Sequence, residues 1–340
     1  MSKILVTGSA GFIAGYLIDD LINCGYEVVG IDNYSKYGKI EKSYDNNSKY
    51  KFIFGDARKE ELIYDTLKDC DHFIMCAALV GGISYFNSYQ YDIIEHNEQL
   101  TISSINSAIK AFKRNKLKKI TILSSSMVFE KATVFPTPEG HERECFPPHS
   151  TYGFQKLSTE FFAQGAFEQY GLPFTIVRPF NCIGIGEEKA ISDKEVLSGN
   201  IKLAMSHVVP DLCQKILKKQ DPLHILGDGK QIRHYTAGED VSKGIIATLE
   251  NKNALNNDFN ISIAQSTTVL ELAEKIWNMI NKKSKFSYVC DIPFKDDVQK
   301  RIPDISKSKK LLDFEAKISL DESLVKIIPW IEKMIILDRI

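Results

Sequence analysis

The chain has 340 residues, 44% hydrophobic and 26% charged, an ordinary globular composition with length enough for two lobes. Its formal net charge of −1 lacks the basic excess of a nucleic-acid binder, and no apolar run reaches the ~18 residues of a membrane span. Its seven cysteines are scattered without a C-x-x-C pair, which argues against a disulfide framework or a zinc site, so no metal is expected and a reducing cytoplasm is.

Lys3–Thr7 reads as a short buried strand, so no leader peptide is expected before the fold. Gly8-Ser-Ala-Gly-Phe-Ile-Ala-Gly15 follows and opens an amphipathic segment to about Asn23; Gly25–Asp32 is a second strand ending in an acid. Strand, glycine turn, helix, strand and acid is the order of a dinucleotide fold. Gly8 and Gly11 let the backbone turn tightly against a pyrophosphate, and the helix start offers it N–H groups. Asp32, about 20 residues after Gly11, is placed to accept from the adenosine ribose hydroxyls. A carboxylate there repels a 2′-phosphate, so NAD is expected rather than NADP.

Residues 33–50 read as a loop. A third strand covers Lys51–Asp56, a helix about 59–68, a fourth strand His72–Ala78, a long helix 92–114, and a fifth strand Lys119–Ser126 with three hydroxyls at its end. The basic run Lys113–Lys119 closes that helix, where it compensates the dipole. Leu172–Arg178 is a sixth strand. The alternation predicts an α/β fold, a Rossmann-type doubly wound parallel sheet over residues 1–180. Beyond residue 180 the rhythm changes to a loop over 184–200, a helix over about 208–219, strands at 223–229 and 257–262, a helix over 269–281, and short strands and helices to residue 340. This half reads as a smaller C-terminal α/β substrate lobe over 181–340, with a segment near 235–265 returning to the first domain.

Tyr152-Gly-Phe-Gln-Lys156 opens a helix-like run and puts Tyr152 and Lys156 one turn apart. An ammonium there favours phenolate and brings Tyr152 toward use as a general base near neutral pH.

Thr7-Gly-x-x-Gly11, Ser124-Ser-Ser126 and Tyr152-x-x-x-Lys156 together resemble the extended short-chain dehydrogenase/reductase family, more closely its nucleotide-sugar epimerase and dehydratase branch. The likeness runs nearly end to end, through Gly55-Asp56, Ala77-Ala78, Asn97, Arg178-Pro-Phe-Asn181, Gly227-Asp-Gly-x-Gln-x-Arg233 and Asp297-Val-Gln-x-Arg301. It implies that Gly8, Gly11, Phe12 and Ile13 hold the NAD pyrophosphate, Asp32 and Asn33 the adenosine ribose, and Asp56 with Ala57 the adenine edge. Cys76, Ala77, Ala78, Asn97 and Phe180 would line the cofactor. Tyr152 would be the acid/base, with Ser125 its catalytic partner, and Lys156 would bind the nicotinamide ribose and lower the Tyr152 pKa. Ser126 and Met127 would face the sugar, and Asn181, Arg233 and Arg301 its diphosphate. Arg suits that task because its planar fork matches phosphate oxygens.

Departures from the family pattern narrow the reaction. Ala14 stands for the third glycine and Cys76 for a larger residue, here a small buried side chain rather than a reactive thiol; Glu130 has no assigned role. The family's 4,6-dehydratases carry Asp-Glu where this chain has Ser126-Met127, and its decarboxylases keep the Glu. Met127 cannot ionise. The resemblance therefore implies a nucleotide-diphosphate sugar substrate and epimerisation through a transient 4-keto sugar, most directly at C4. The alternatives are a 4-ketoreductase or dehydrogenase, a 4,6-dehydratase, a non-catalytic NAD(H)-binding regulator, or a 3,5-epimerase, toward which Gly81–Phe86 points. A homodimer through the helices near 95–114 and 152–170 is also implied.

Overall fold

The computed structural model describes residues 2–82, 88–114, 116–190, 196–203, 207–282, 284–293 and 297–340. Most of the Gly81–Phe86 segment lies outside them. Lys3–Thr7 (β1), Glu27–Asp32 (β2), Tyr50–Phe54 (β3), His72–Met75 (β4), Lys119–Leu123 (β5) and Phe174–Pro179 (β6) lie in one sheet with Asn257–Ile261. The order is 257–261, β6, β5, β4, β1, β2, β3, and every neighbouring pair is parallel.

A parallel sheet needs both faces covered, and its strands accordingly read as continuous apolar runs. In β1, Ile4 and Val6 point to one face and Leu5 to the other, the period-two alternation of a strand. The helices Glu60–Leu67, Gln90–Phe112 and Thr151–Tyr170 cover the Leu5 face, packing Leu67, Leu100, Ala108 and Ala163 against Phe73 and Ile120. Phe12–Asn23 (α1) and Gly238–Leu249 cover the other face, with Leu17 and Leu21 against Val241 and Ile245. The strand order reverses at β1, whose neighbours are β2 and β4. The crevice beyond the carboxyl ends of β1 and β4 is thus the switch point at which such sheets bind ligands.

A separate apolar core joins Val208–Leu217, Val269–Ile280 and Leu320–Ile336 to the parallel pair Leu223–Leu226 and Tyr288–Asp291. Trp277, Leu272 and Leu324 are buried at its centre.

Four elements differ from the sequence reading. Leu320–Ile336 is one helix of 17 residues, started by a capping box between Ser319 and Glu322, with Pro329 inside it. Gly238–Leu249 is a helix that sequence periodicity did not single out. β4 ends at Met75 and β5 at Leu123, three residues early in each case, and the residues that follow line the crevice instead of extending the sheet. Among the described residues no helix is long and apolar enough to cross a membrane. All seven cysteines are free thiols, and no cluster of His, Cys, Asp or Glu among the described residues could hold a metal.

Candidate active site

A cavity of about 1310 Å³ opens at the switch point and extends into the C-terminal lobe. Its first end is built by the glycine turn. Gly8 has φ of +70° and lies so close to the end of β4 that a Cβ on it would sit 2.8 Å from the Ala77 N and Cα. Only glycine fits both demands. The turn closes with Gly11 N–H donating to Gly8 O at 3.0 Å, and α1 starts at Phe12 with no side chain capping it. Gly8, Gly11, Phe12 and Ile13 therefore bring a helix N-terminus to the cavity wall, a seat for an anion such as a pyrophosphate.

Asp32 lies at the end of β2, where its two oxygens accept from Ala10 N–H at 3.0 Å and Tyr34 N–H at 2.7 Å. Burial pushes this carboxyl up, against those hydrogen bonds. Each oxygen keeps a lone pair for a ribose hydroxyl. Asn33 lines the same wall and accepts from Ser35 N–H at 3.0 Å. Asp56 and Ala57 line the cavity beyond it. Arg58, which the sequence reading passed over, clamps Asp56 through Nη2 at 2.6 Å and Nε at 3.0 Å and holds its carboxyl below the usual range. We expect wild-type protein to bind NAD on the order of tenfold or more tighter than NADP, the scale of a charge-assisted hydrogen bond lost or opposed. Asp32→Ser narrows that ratio to a few-fold, which fluorescence titration with the two dinucleotides measures; an unchanged ratio contradicts the assignment.

Cys76, Ala77 and Ala78 line the middle of the cavity. Burial pushes the Cys76 thiol up to about 12, so it stays protonated and inert. Asn97 and Phe180, expected to line the cofactor, stand behind the wall. Asn97 spends its amide on the backbone of Leu79, accepting from its N–H at 2.7 Å and donating to its carbonyl at 3.0 Å. Phe180 is packed with Val128, Phe129 and Leu157. Both support the wall from behind.

Ser125, Tyr152 and Lys156 meet on the wall beside Cys76. Ser125 caps a 3-10 turn over Ser126–Phe129, its Oγ accepting from Met127 N–H at 3.2 Å. Tyr152 lies in the first turn of the helix Thr151–Tyr170, near enough to Ser125 for that hydroxyl to act on its pKa. Burial raises the Tyr152 pKa, while the Ser125 hydrogen bond and then the Arg301 charge lower it. Lys156 stands one turn further along the same helix, on the same wall. Its Nζ donates to Leu123 O at 2.9 Å and stands 5.9 Å from the Tyr152 ring centroid. Burial lowers its own pKa to about 8. Ser124 turns away, donating to Glu160 at 2.5 Å. Glu160 in turn takes Arg178 Nε at 2.8 Å and Nη2 at 2.7 Å, so a buried ion network ties the Tyr152 helix to β6.

The same cavity is lined from the C-terminal lobe by Asn181, Arg233 and Arg301, and by Ser126 and Met127. Asn181 adopts φ of +38°, a region Asn tolerates. Its carbonyl accepts from Thr236 N–H at 3.2 Å and its amide donates to His234 O at 3.3 Å. Ile232 and Arg301 are zipped together by Arg301 N–H to Ile232 O at 3.2 Å and Ile232 N–H to Gln299 O at 2.8 Å. That pairing brings a buried guanidinium, Arg233, together with a half-buried one, Arg301. Burial lowers the pKa of Arg301 to about 9, with Arg233 adding to the fall, while Asp297 opposes it; Arg233 is lowered as well. Arg301 Nε is buried without a hydrogen-bond partner among the described residues. Two strained cations facing a cavity form a site for a multiply charged anion.

Sequence reasoning also missed Tyr235 as more than a contributor to shape. It is buried on the cavity wall, its hydroxyl without a partner among the described residues. Burial pushes the phenol to about 12 against the charges of Arg233 and Arg301, so it remains a donor. Arg233-His-Tyr235 shows the phenol two residues from one arginine, but only the fold brings it near Arg301 and into the cavity wall.

Residues 4–262 match the NAD dependent epimerase/dehydratase family, and the chain belongs to it. NAD is the cofactor its cradle serves. Among curated proteins, UDP-glucuronic acid decarboxylase 1 of Arabidopsis thaliana is 27% identical over 331 residues, covering 96% of this chain and 69% of that one. Among solved structures, the UDP-glucose 4-epimerase of Thermotoga maritima with UDP-glucose is 28% identical, with a TM-score of 0.79 and coverage of 98% and 99%. The UDP-glucuronic acid 4-epimerase of Bacillus cereus, in complex with UDP-glucuronic acid and NAD, is 26% identical, with a TM-score of 0.82 and the same coverage.

Proposed function

We propose that this chain is an NAD-dependent nucleotide-sugar 4-epimerase. The observation that carries the reading is that Ser125 and Tyr152 line one cavity together with the glycine turn and the Arg233–Arg301 pair. The turn suits the cofactor pyrophosphate, the arginine pair the substrate diphosphate, and the proton-transfer pair shares their cavity. The similarity to two solved 4-epimerases supports it.

NAD bound in the cradle supplies a hydride acceptor that gives the hydride back in the same turnover. Tyr152, as phenolate, takes the proton of the sugar 4-hydroxyl, and Ser125 donates to the oxygen that becomes the carbonyl. Arg233, Arg301 and Asn181 keep hold of the diphosphate while the flat 4-keto ring turns over. Tyr152 then returns its proton on the other face. Lys156 holds its hydrogen bond to Leu123 O and presents the rest of its ammonium to the cavity. Met127, at the position where the resemblance puts an ionisable Glu in dehydratases and decarboxylases, lines the cavity without a proton to move. This favours epimerisation over both, including the decarboxylation named for the Arabidopsis relative.

The test is incubation with UDP-, GDP-, CDP- and TDP-sugars, reading products by NMR and reduced nicotinamide by absorbance. A C4 epimer without net reduction supports the reading. Stoichiometric NADH change makes the chain a 4-ketoreductase or dehydrogenase instead.

Residues 1–180 and the returning segment near 235–265 form the NAD-binding domain in this reading, and the rest of 181–340 the nucleotide-sugar lobe. A homodimer forms through the helices Gln90–Phe112 and Thr151–Tyr170, which pack side by side and leave Phe154, Phe161, Phe162 and Ile102 exposed. Such a patch marks an interface. Sedimentation at micromolar concentration is expected to give twice the chain mass of 38.5 kDa; a monomer rejects the contact. The free thiols fit a cytoplasmic setting.

A further inference from the structure

We infer that Glu130 is a positioning residue that locks Ser125 and Tyr152 into register, an inference that rests on the acid/base role proposed for that pair. Glu130 closes the same short turn that Ser125 opens, its N–H donating to Met127 O at 3.1 Å. The residue is 8% exposed. Its carboxylate crosses to the start of the Tyr152 helix. There Oε1 accepts from His149 N–H at 2.9 Å, and Oε2 from Ser150 N–H at 3.1 Å and Ser150 Oγ at 2.5 Å.

Ser150 is the N-cap of that helix, and its Oγ accepts from Gly153 N–H at 3.1 Å. The hydroxyl thus gives its one proton to Glu130 and one of its two lone pairs to the helix. The two segments also touch backbone to backbone. A Cβ on Gly153 would lie 2.8 Å from Met127 O. Glu130 therefore holds both ends of the contact: one end fixes Ser125 through the turn, the other fixes Tyr152 through the cap. The resemblance assigns no role to an acid here.

The charged groups facing Tyr152 are Arg301, from the segment after Asp297, and Lys156 on its own helix. Among the described residues Tyr152 also packs with the apolar Ile93, Met127 and Val298, and the titratable Tyr89 lies against that cluster. Arg301 also feels the Glu130 charge. Removing Glu130 loosens the Ser150 cap and lets the Tyr152 phenol drift from Ser125. Tyr152 then loses the strongest influence that holds its pKa down, so the phenolate forms only at higher pH.

The variants are Glu130→Ala and the isosteric Glu130→Gln, which keeps one acceptor oxygen. For Glu130→Ala we expect kcat to fall on the order of tenfold or more, within the ~10²-fold that a displacement of about 1 Å costs. KM and the Kd for NAD stay within about twofold, the split expected when only the transition state is affected. The acid limb of kcat moves to higher pH, and Glu130→Gln recovers part of both effects.

A second readout does not need the reaction. Ultraviolet phenolate titration, taken as the difference between each protein and the same protein carrying Tyr152→Phe, reports Tyr152 ionisation directly. Glu130→Ala is expected to move it upward whether or not the chain epimerises sugars. An unmoved Tyr152 titration overturns the inference. So does an equal loss of kcat, NAD affinity and Tm, which marks a merely structural role. If Glu130→Ala does not fold, the Glu130→Gln titration decides by the same criterion.

Discussion

Tyr152→Phe lowers kcat by a factor on the order of 10² or more, the scale of a lost acid/base, while leaving NAD affinity near that of the wild type. The variant removes one oxygen and keeps the ring that packs on Ile93, Met127 and Val298, so the fold has no reason to change. What disappears is the atom that exchanges a proton with the substrate hydroxyl. Ser125 cannot replace it, because its Oγ is committed to Met127 N–H and its own proton is far less acidic than a phenol. Lys156 cannot either, since it holds Leu123 O. The pH profile of the wild type carries the same signature. Burial raises Tyr152, so activity falls as the pH drops below its folded pKa, and that limb is absent from the residual activity of Tyr152→Phe. Full activity in the variant would remove Tyr152 from the mechanism.

Arg301→Met is expected to weaken the nucleotide sugar on the order of 10²-fold, from loss of charge-assisted hydrogen bonds worth ~1.5–3 kcal/mol each. Without ligand its Tm stays level or rises. The reason is the arrangement of the two arginines. Arg233 lowers the pKa of Arg301, so each destabilises its neighbour's charge, and Asp297 answers only part of it. Methionine has a similar length, cannot repel Arg233 and leaves its pairing with Asp297 intact. A substrate diphosphate is the group that rewards the pair, so the cost of keeping both is visible in the free protein and recovered in the complex. Calorimetric titration with a UDP-sugar, beside thermal unfolding, reads both halves. Unchanged affinity, or a large fall in ligand-free Tm, would mean that Arg301 serves the fold rather than the substrate.

The local signals in the sequence were the legible ones. Gly8 and Gly11, the acid closing β2, and the Tyr152–Lys156 spacing each lie within one turn or one βα unit, where geometry follows from periodicity. The parallel alternation to residue 180 was legible for the same reason. What could not be read were partners distant along the chain. Lys156 donates to Leu123 O across 33 residues, a partner that its spacing from Tyr152 does not announce. Asn97 spends its amide on Leu79, and Phe180 fills a core behind the wall. Glu130 takes its meaning from Ser150, 20 residues away. Leu320–Ile336 carries Pro329, which reads as a break; burial of Leu324, Ile327 and Ile331 keeps the helix continuous past it.

The central claim is that one carbon of the sugar gives up a hydride and receives the same one back. Incubating the protein and NAD with a nucleotide sugar deuterated at C4, in ordinary water, tests this in one experiment. The account predicts that the deuterium is found at C4 of the inverted product, with none released to solvent and none left as reduced cofactor. Deuterium lost to water, or displaced to another carbon, would contradict it.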